Sequence, residues 1–213
     1  MSNRIITVSR EFGSGGRELG KRLAKALNIP CYDHEIISII AKENGFDEQY
    51  VANVSERSIE AAYPLTIGQR FAMPSYDYME QPIRIMAAQR KIIENFARQE
   101  DCVIVGRSAD SILEEEFHPL NLFVYADMSS KVLRCTQRAK EGESLKPSDM
   151  EKQIRRIDKE RIRYHEMYSD GRWGDKENYH LCINTSGHEI KELIPGIAEF
   201  ARCWFSAREG QAE

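Results

Sequence analysis

The chain has 213 residues, 41% hydrophobic and 30% charged, with 30 Lys plus Arg against 34 Asp plus Glu for a formal charge of −4. That length supports one substantial core with room for an inserted subdomain, and not several domains of about 100–200 residues each. The composition excludes a wholly disordered chain, no apolar run approaches the roughly 20 residues that cross a bilayer, and the mildly acidic balance argues against a general nucleic-acid binder. The opening run, Met1 to Val8, has one basic residue and an apolar stretch too short for a secretory leader. A cytoplasmic location is therefore expected, with neither membrane nor nucleic acid as a partner. The five cysteines, Cys31, Cys102, Cys135, Cys182 and Cys203, have no pair at zinc or redox spacing. Cys31, Cys102 and Cys182 sit in or beside apolar runs and read as small buried hydrophobes.

In chain order, Ile5 to Val8 is short, apolar and β-branched, a buried strand. Gly13 to Gly16 punctuates it, and Leu19, Leu23 and Leu27 then recur every fourth residue, an amphipathic helix ended by Ile29-Pro30. Cys31-Tyr32 reads as a second short strand leading to Asp33. Residues 36–99 are longer than one crossover helix needs. They hold helical patterns at Ile36 to Ala41 and Ile83 to Ala97. Between these, Tyr63 to Pro82 contains three prolines, two methionines and three tyrosines, read as a mobile or interface-forming loop that leaves room for a homo-oligomer.

Further strands are expected at Cys102 to Val105, Leu120 to Ala126 and His180 to Asn184. Ser129-Ser130 offers cap chemistry for a helix from Lys131 to Ala139, and a last helix starts near Glu189. Strands alternating with helices predict βαβ units and a mostly parallel sheet, whose strand ends meet on one edge. Residues 140–176 form a second excursion with a dense arginine cluster. There Ser148 and Glu151 have the spacing of a capping box, and Met150, Ile154 and Ile157 give an apolar edge.

Strand, glycine loop and helix together present backbone N–H groups and a positive helix end to a phosphate. The loop Ser9-Arg10-Glu11-Phe12-Gly13-Ser14-Gly15-Gly16-Arg17-Glu18 has that setting. It departs from the consensus G-x-x-x-x-G-K-[ST]: in either register the lysine and the magnesium-ligating hydroxyl are absent, with Arg17 as the charge at hand. A glycine-rich turn with no ligand is the plain alternative. Asp33 and Asp110 follow strand ends and are expected near reacting phosphates, with helix capping as the alternative for each. Position 105 is Val, so no acid directly precedes Gly106. His118, His165, His180 and His188 lack metal-ligand spacing, and Trp173 reads as a packing anchor before a stacking platform.

The run from Ile5 to Glu18, the Gly106-Arg107 turn, the arginine-rich helix and the stretch from Arg172-Trp173-Gly174-Asp175 through Asn184-Thr185-Ser186 closely resemble the bacterial cytidylate-kinase-like family over nearly the whole chain. The resemblance implies a three-layer α/β/α P-loop fold with a parallel five-stranded core sheet. It implies one kinase-like domain over 1–213, with 36–99 as acceptor-binding insertion and 140–176 as lid. It also implies ATP and Mg2+ as cofactors, and transfer of the γ-phosphoryl group to a nucleoside monophosphate, CMP or dCMP first, or to another small acceptor. Gly13, Ser14, Gly15, Gly16, Arg17 and Glu18 would bind nucleotide phosphates. Arg17, Arg155, Arg156, Asp158 and Arg161 would serve transfer, with Asp158 holding the arginines. Asp33, His34, Arg107, Ser108 and Asp110 would form the acceptor side, with Arg107 on its phosphate. True cytidylate kinases carry Gly-Arg-Asp where this chain has Gly106-Arg107-Ser108, and Asp-Ser-Gly where it has Asp33-His34-Glu35. Two base contacts are thereby changed. Arg134 and Arg138, one turn apart, are either added phosphate contacts or a surface pair. The absent lysine motivates the alternative of a non-catalytic nucleotide- or phosphometabolite-binding regulator on the same fold.

Overall fold

The computed structural model describes residues 3–56, 76–138 and 146–209. Strand β1 (Ile5–Arg10) is followed by helix α1 (Gly16–Leu27), β2 (Cys31–Tyr32), α2 (Glu35–Asn44) and α3 (Glu48–Glu56). Then come α4 (Tyr76–Gln99), β3 (Cys102–Val105), α5 (Ala109–Phe117), β4 (Leu120–Tyr125), α6 (Met128–Arg138) and α7 (Pro147–His165). A 3-10 turn (Lys176–Asn178), β5 (Leu181–Asn184) and α8 (Ile190–Glu209) complete the order. All strand pairs are parallel, in the order β2-β3-β1-β4-β5. The expected five-stranded parallel sheet with helices on both faces is present.

Side chains of a strand alternate between faces, and the two cores follow that alternation. Ile5, Cys102 and Ile104 join Ile36, Ile40, Ile85, Ile93 and Leu113 on the face covered by α2, α4 and α5. Ile6, Val8, Val103, Val105, Leu122 and Val124 join Leu19, Leu23, Ile190 and Ile194 on the face covered by α1 and α8. Two polar residues of β1, Thr7 and Ser9, lie in the first set's register. Thr7 Oγ1 donates to Asn121 Oδ1 at 2.7 Å, and Ser9 Oγ donates to Asp110 Oδ2 at 3.1 Å. Buried polar groups paired in this way carry little of the penalty that unpaired ones would.

Several helix boundaries differ from expectation. α6 starts at Met128, and its cap is Asp127, whose Oδ1 accepts from Ser130 N and Ser129 Oγ at 2.7 Å. Those donors hold the Asp127 carboxyl well below the usual range. Ser129 and Ser130 are thus inside the first turn, because an aspartate one residue upstream is the stronger acceptor; Ala139 lies outside the described residues. α7 starts at Pro147, suited to a first helical position; Ser148 and Glu151 form no capping box, and Glu151 pairs with Arg155. α4 begins before Pro82 rather than after it. Most of the expected 63–82 loop, residues 63–75, lies outside the described residues. Of the cysteines read as buried, Cys102 is fully so, while Cys31 and Cys182 are half-buried. Burial pushes the Cys31 and Cys102 thiols up to about 12, so both stay protonated.

α1 lies so close to the sheet that a Cβ on Gly20 would sit 2.6 Å from Val105 Cγ2. Alanine in a helix interior gains about 1 kcal/mol over glycine, yet overpacking against a stiff β-branched side chain loses about 1–3 kcal/mol. The clash wins. Gly20→Ala is expected to lower the urea midpoint, and a raised midpoint would show that the layers separate freely.

Candidate functional site

Every strand ends on the same edge, and all five connections there carry charged side chains. The first is the loop from Glu11 to Gly15. Gly13 and Gly15 have φ +79° and +85°, the left-handed region. A Cβ on Gly13 would lie 2.9 Å from Cys135 Sγ and 3.0 Å from the Lys131 carbonyl oxygen, and one on Gly15 would lie 2.5 Å from Ile190 Cδ1. The loop is therefore wedged between α6 and the start of α8, with glycine required by both conformation and space. The first-turn amides of α1 follow, and by helix geometry they have no carbonyl of their own helix to bond. Ser14 is buried and donates to the Glu11 carbonyl at 2.8 Å. Thr185 Oγ1 donates to the Ser14 carbonyl at 2.7 Å.

Arg17, half-exposed, reaches the end of β2, where its Nε lies 2.7 Å from Oδ2 of the fully buried Asp33. His34 is exposed beside it, and Glu35 Oε2 accepts the Asp33 N–H. Glu18 points outward to Arg22 and Arg138.

At the end of β3, Gly106, Arg107 and Ser108 have φ +74°, +62° and +51°. Two consecutive non-glycine residues in the left-handed region cost about 1 kcal/mol or more each. The turn is clamped: Gln89 Nε2 of α4 donates to the Arg107 carbonyl at 3.1 Å and lies 2.7 Å from Tyr164 Oη of α7. The Arg10 guanidinium rests over Gly106, with Nη1 only 1.6 Å from where a Cβ would stand. Arg10, Arg107, Arg161, Tyr164, His165 and Trp173 line a cleft of about 20 Å3, so three cationic side chains border a space the size of one water. Asp110 lies behind it, bonded to Ser9 and 3.4 Å from His165 Nε2. Trp173 packs edge-on against Phe123, ring centroids 5.1 Å apart. A larger cavity of about 400 Å3 opens on the other side of His165, rimmed by Glu114, Glu115 and Glu177. Those carboxylates disfavour a phosphate there.

α7 lies along the loop. Met150, Ile154, Tyr164 and His165 are buried, and Asp158 and Arg161 are on the same inward face. Arg161 Nη1 donates to the Arg10 carbonyl at 2.9 Å, its guanidinium above the Phe12 ring. Asp158 Oδ1 accepts from the Phe12 N–H at 2.6 Å, and Oδ2 accepts from Lys131 Nζ at 2.9 Å. Lys131 also donates to Glu11 Oε2 at 3.0 Å. Asp158 thus holds a lysine and a loop amide, where the sequence pointed to the arginines. Arg155 and Arg156 are exposed, and their described pairs, Glu151 and Glu160, stay within α7. A three-residue step turns 300°, so Arg155 and Arg161 stand about 120° apart around the axis.

Three residues that the sequence reading did not single out belong here: Arg10, Lys131 and Gln89. Lys131, Arg134 and Arg138 recur at helical spacing, and that row was the available signal. Burial alone would push the Lys131 ammonium down; its bonds to Asp158 and Glu11 outweigh this and hold it above the usual lysine range. Arg134 ties α6 to the β5–α8 loop through the Thr185 and His188 carbonyls. For magnesium, the fit rests on Asp33, whose buried Oδ1 has no hydrogen-bond partner. A hydrated ion needs few protein carboxylates. Among the described residues no group of three or more His, Cys, Asp or Glu could hold a metal by itself, and no helix is long and apolar enough to cross a membrane.

The model of the cytidylate kinase-like family matches residues 5–187, and the chain belongs to that family. No match was found among curated proteins. Among solved structures, an uncharacterized protein from Eubacterium ventriosum ATCC 27560 is 26% identical, with TM-score 0.67, covering 94% of this chain and 99% of that one. Shikimate kinase from Acinetobacter baumannii, in complex with shikimate, is 15% identical, with TM-score 0.53, over 93% and 92% of the two chains. Shikimate kinase from Bacteroides thetaiotaomicron is 14% identical, with TM-score 0.55, over 93% and 98%. At those identities the shikimate kinases share the fold alone. By family and by fold, the chain is kinase-like.

Lys131→Met would leave Glu11 and Asp158 facing each other with no cation between them, at a cost of about 3 kcal/mol. Because the folded pKa of Lys131 is raised, its stabilisation is complete below about pH 10 and is lost only as pH climbs through that raised value. The gap in unfolding free energy between wild type and K131M is therefore expected to stay constant from about pH 6 to about pH 9. A gap that closes within that window would place the titration on another group.

Proposed function

We propose that the protein is an ATP-dependent phosphotransferase whose acceptor carries an anionic group, a nucleoside monophosphate first and CMP or dCMP foremost among these. The observation that carries this reading is the pairing of a strand-loop-helix phosphate cradle with Arg10, Arg107 and Arg161 converging on the adjoining strand end. One strand end supplies amides and a helix N-terminus for the donor phosphates, and the next supplies guanidinium groups for the acceptor anion. The acceptor oxygen attacks the γ-phosphorus of ATP, and the bond from that phosphorus to the β–γ bridging oxygen breaks, releasing ADP.

Phosphoryl transfer needs positioning and charge compensation more than covalent help from the protein. Arg17, anchored by buried Asp33, stands at the N-terminus of α1 to compensate donor charge. Magnesium, held by Asp33 through water and by the phosphates, would neutralise charge on the donor. Arg107, fixed by the clamped left-handed turn, grips the acceptor, and Asp110 sets the Ser9 hydroxyl. Residues 36–99 serve as the acceptor-side insertion and 140–176 as the lid: α7 already touches the loop, so its movement would open the 20 Å3 cleft. The changed residues Ser108 and His34 leave base choice open to other acceptors. The departure of the loop from the lysine-bearing consensus favours a second reading, a nucleotide-binding regulator without turnover.

The purified chain should release ADP from ATP and magnesium when given the right member of a panel of nucleoside monophosphates and small phosphate-bearing or hydroxyl acceptors. Tight nucleotide binding with no phosphorylated product from any acceptor would select the regulator. Arg17→Ala is expected to lower kcat by about 100-fold, and Arg107→Ala to raise the acceptor KM by about tenfold. Circular dichroism checks that each variant is folded, and unchanged kinetics in either would remove that residue's role.

A further inference from the structure

The glycine loop lacks its lysine, and Arg17, the cation that follows it, is paired with Asp33. A lysine nevertheless stands at the loop. Lys131 comes from α6, across from the glycines, and its Cβ lies 3.2 Å from where a Gly13 Cβ would be. It is nearly fully buried, which is rare for lysine unless the ammonium has a task or a partner. Its partners are Glu11 Oε2 at 3.0 Å and Asp158 Oδ2 at 2.9 Å.

The other oxygen of Asp158 takes the Phe12 N–H at 2.6 Å. One carboxylate thus accepts at once from a backbone amide of the glycine loop and from a buried ammonium. Those are the two kinds of donor that hold a phosphate in such a loop. The carboxylate belongs to α7, next to the arginine that binds the Arg10 carbonyl. A phosphate at charge about −2 has the same need for these donors and more charge to offer. Glu11 is held separately by the Ala126 N–H, at 3.2 Å, and can stay when the ligand arrives.

We propose that Lys131 is the phosphate-binding lysine of this loop, supplied from α6 instead of from the loop, and that Asp158 occupies the phosphate position until nucleotide displaces it. This rests on the reading of the loop as the donor-phosphate site. Nucleotide binding is then an exchange of one anion for another, and it frees α7 from the loop as it occurs. Asp158 is a competitor in this state, and Lys131 is the cation for which ligand and carboxylate compete.

The test is calorimetric titration of the full chain with ADP and, separately, with inorganic tripolyphosphate. Wild type is compared with D158N, K131R, K131M and the double variant K131M/D158N. Asparagine keeps an oxygen for the Phe12 N–H but removes the competing charge, so D158N should bind both ligands about tenfold tighter than wild type. The double variant should bind about tenfold more weakly than D158N, and K131R should lie between K131M and wild type. Should K131M alone fail to fold, the comparison of the double variant with D158N decides the lysine. Binding by wild type with D158N no tighter overturns the stand-in role of Asp158. Binding by the double variant equal to D158N overturns the role of Lys131. Either result leaves the phosphotransferase reading intact. Absence of saturable binding of both ligands to folded wild type and D158N overturns the two readings together.

Discussion

With every strand parallel and β1 at the centre, all strand ends open on one edge, and that edge must carry the backbone groups and charges that the layers cannot bury. The glycine loop is the tightest point of this constraint. It is pressed on one side by Lys131 and Cys135 of α6, on another by Ile190 of α8, and from above by Asp158 and Arg161 of α7. Three consecutive helices, all far from the loop in sequence, therefore meet on five residues of loop. Any change in what the loop holds is felt by all of them, because packed elements shift as bodies and do not deform continuously.

The charges at this edge are arranged by pairing and not by exposure. Lys131 lies between two carboxylates, Arg17 covers Asp33, and Asp110 is set between Ser9 and His165. A buried pair of this kind adds little net stability, since desolvation offsets most of the attraction, but removal of one member is costly. Such an edge keeps its geometry while its members are complete and loses it when one is replaced. The clamped turn at Gly106 to Ser108 follows the same logic in backbone terms: Gln89 and Tyr164 hold a conformation that the isolated segment would leave.

The five strands were legible in the sequence because short β-branched apolar runs such as Ile5 to Val8 and Cys102 to Val105 have no good alternative to a buried strand, whereas the helices Glu48–Glu56 and Ala109–Phe117 were not singled out. The glycine loop was legible as well, since its glycines fall between a strand and an amphipathic helix. Helix starts were less so: Asp127 outcompetes two serines as a cap, and Pro147 displaces a capping-box pattern, choices set by a single residue each. Which residues of α7 face the loop was misjudged by spacing alone. Positions three apart share a face only locally, and Arg155 has rotated out of it where Arg161 has not. Lys131 was invisible for a different reason. Its place at the loop follows from the β4–α6 connection and the parallel topology, which put a residue 118 positions after Gly13 against it.

Trp173 lies against Phe123 in the wall of the arginine-lined cleft, and Trp204, the second of the chain's two tryptophans, packs beside His180 and Phe200 on α8. The chain consequently carries its own optical gauge: one indole borders the arginine-lined cleft, and the other, packed on His180 and Phe200, adds a background outside that lining. Emission from the unmodified polypeptide can then follow occupancy in real time, without a label or a coupled assay.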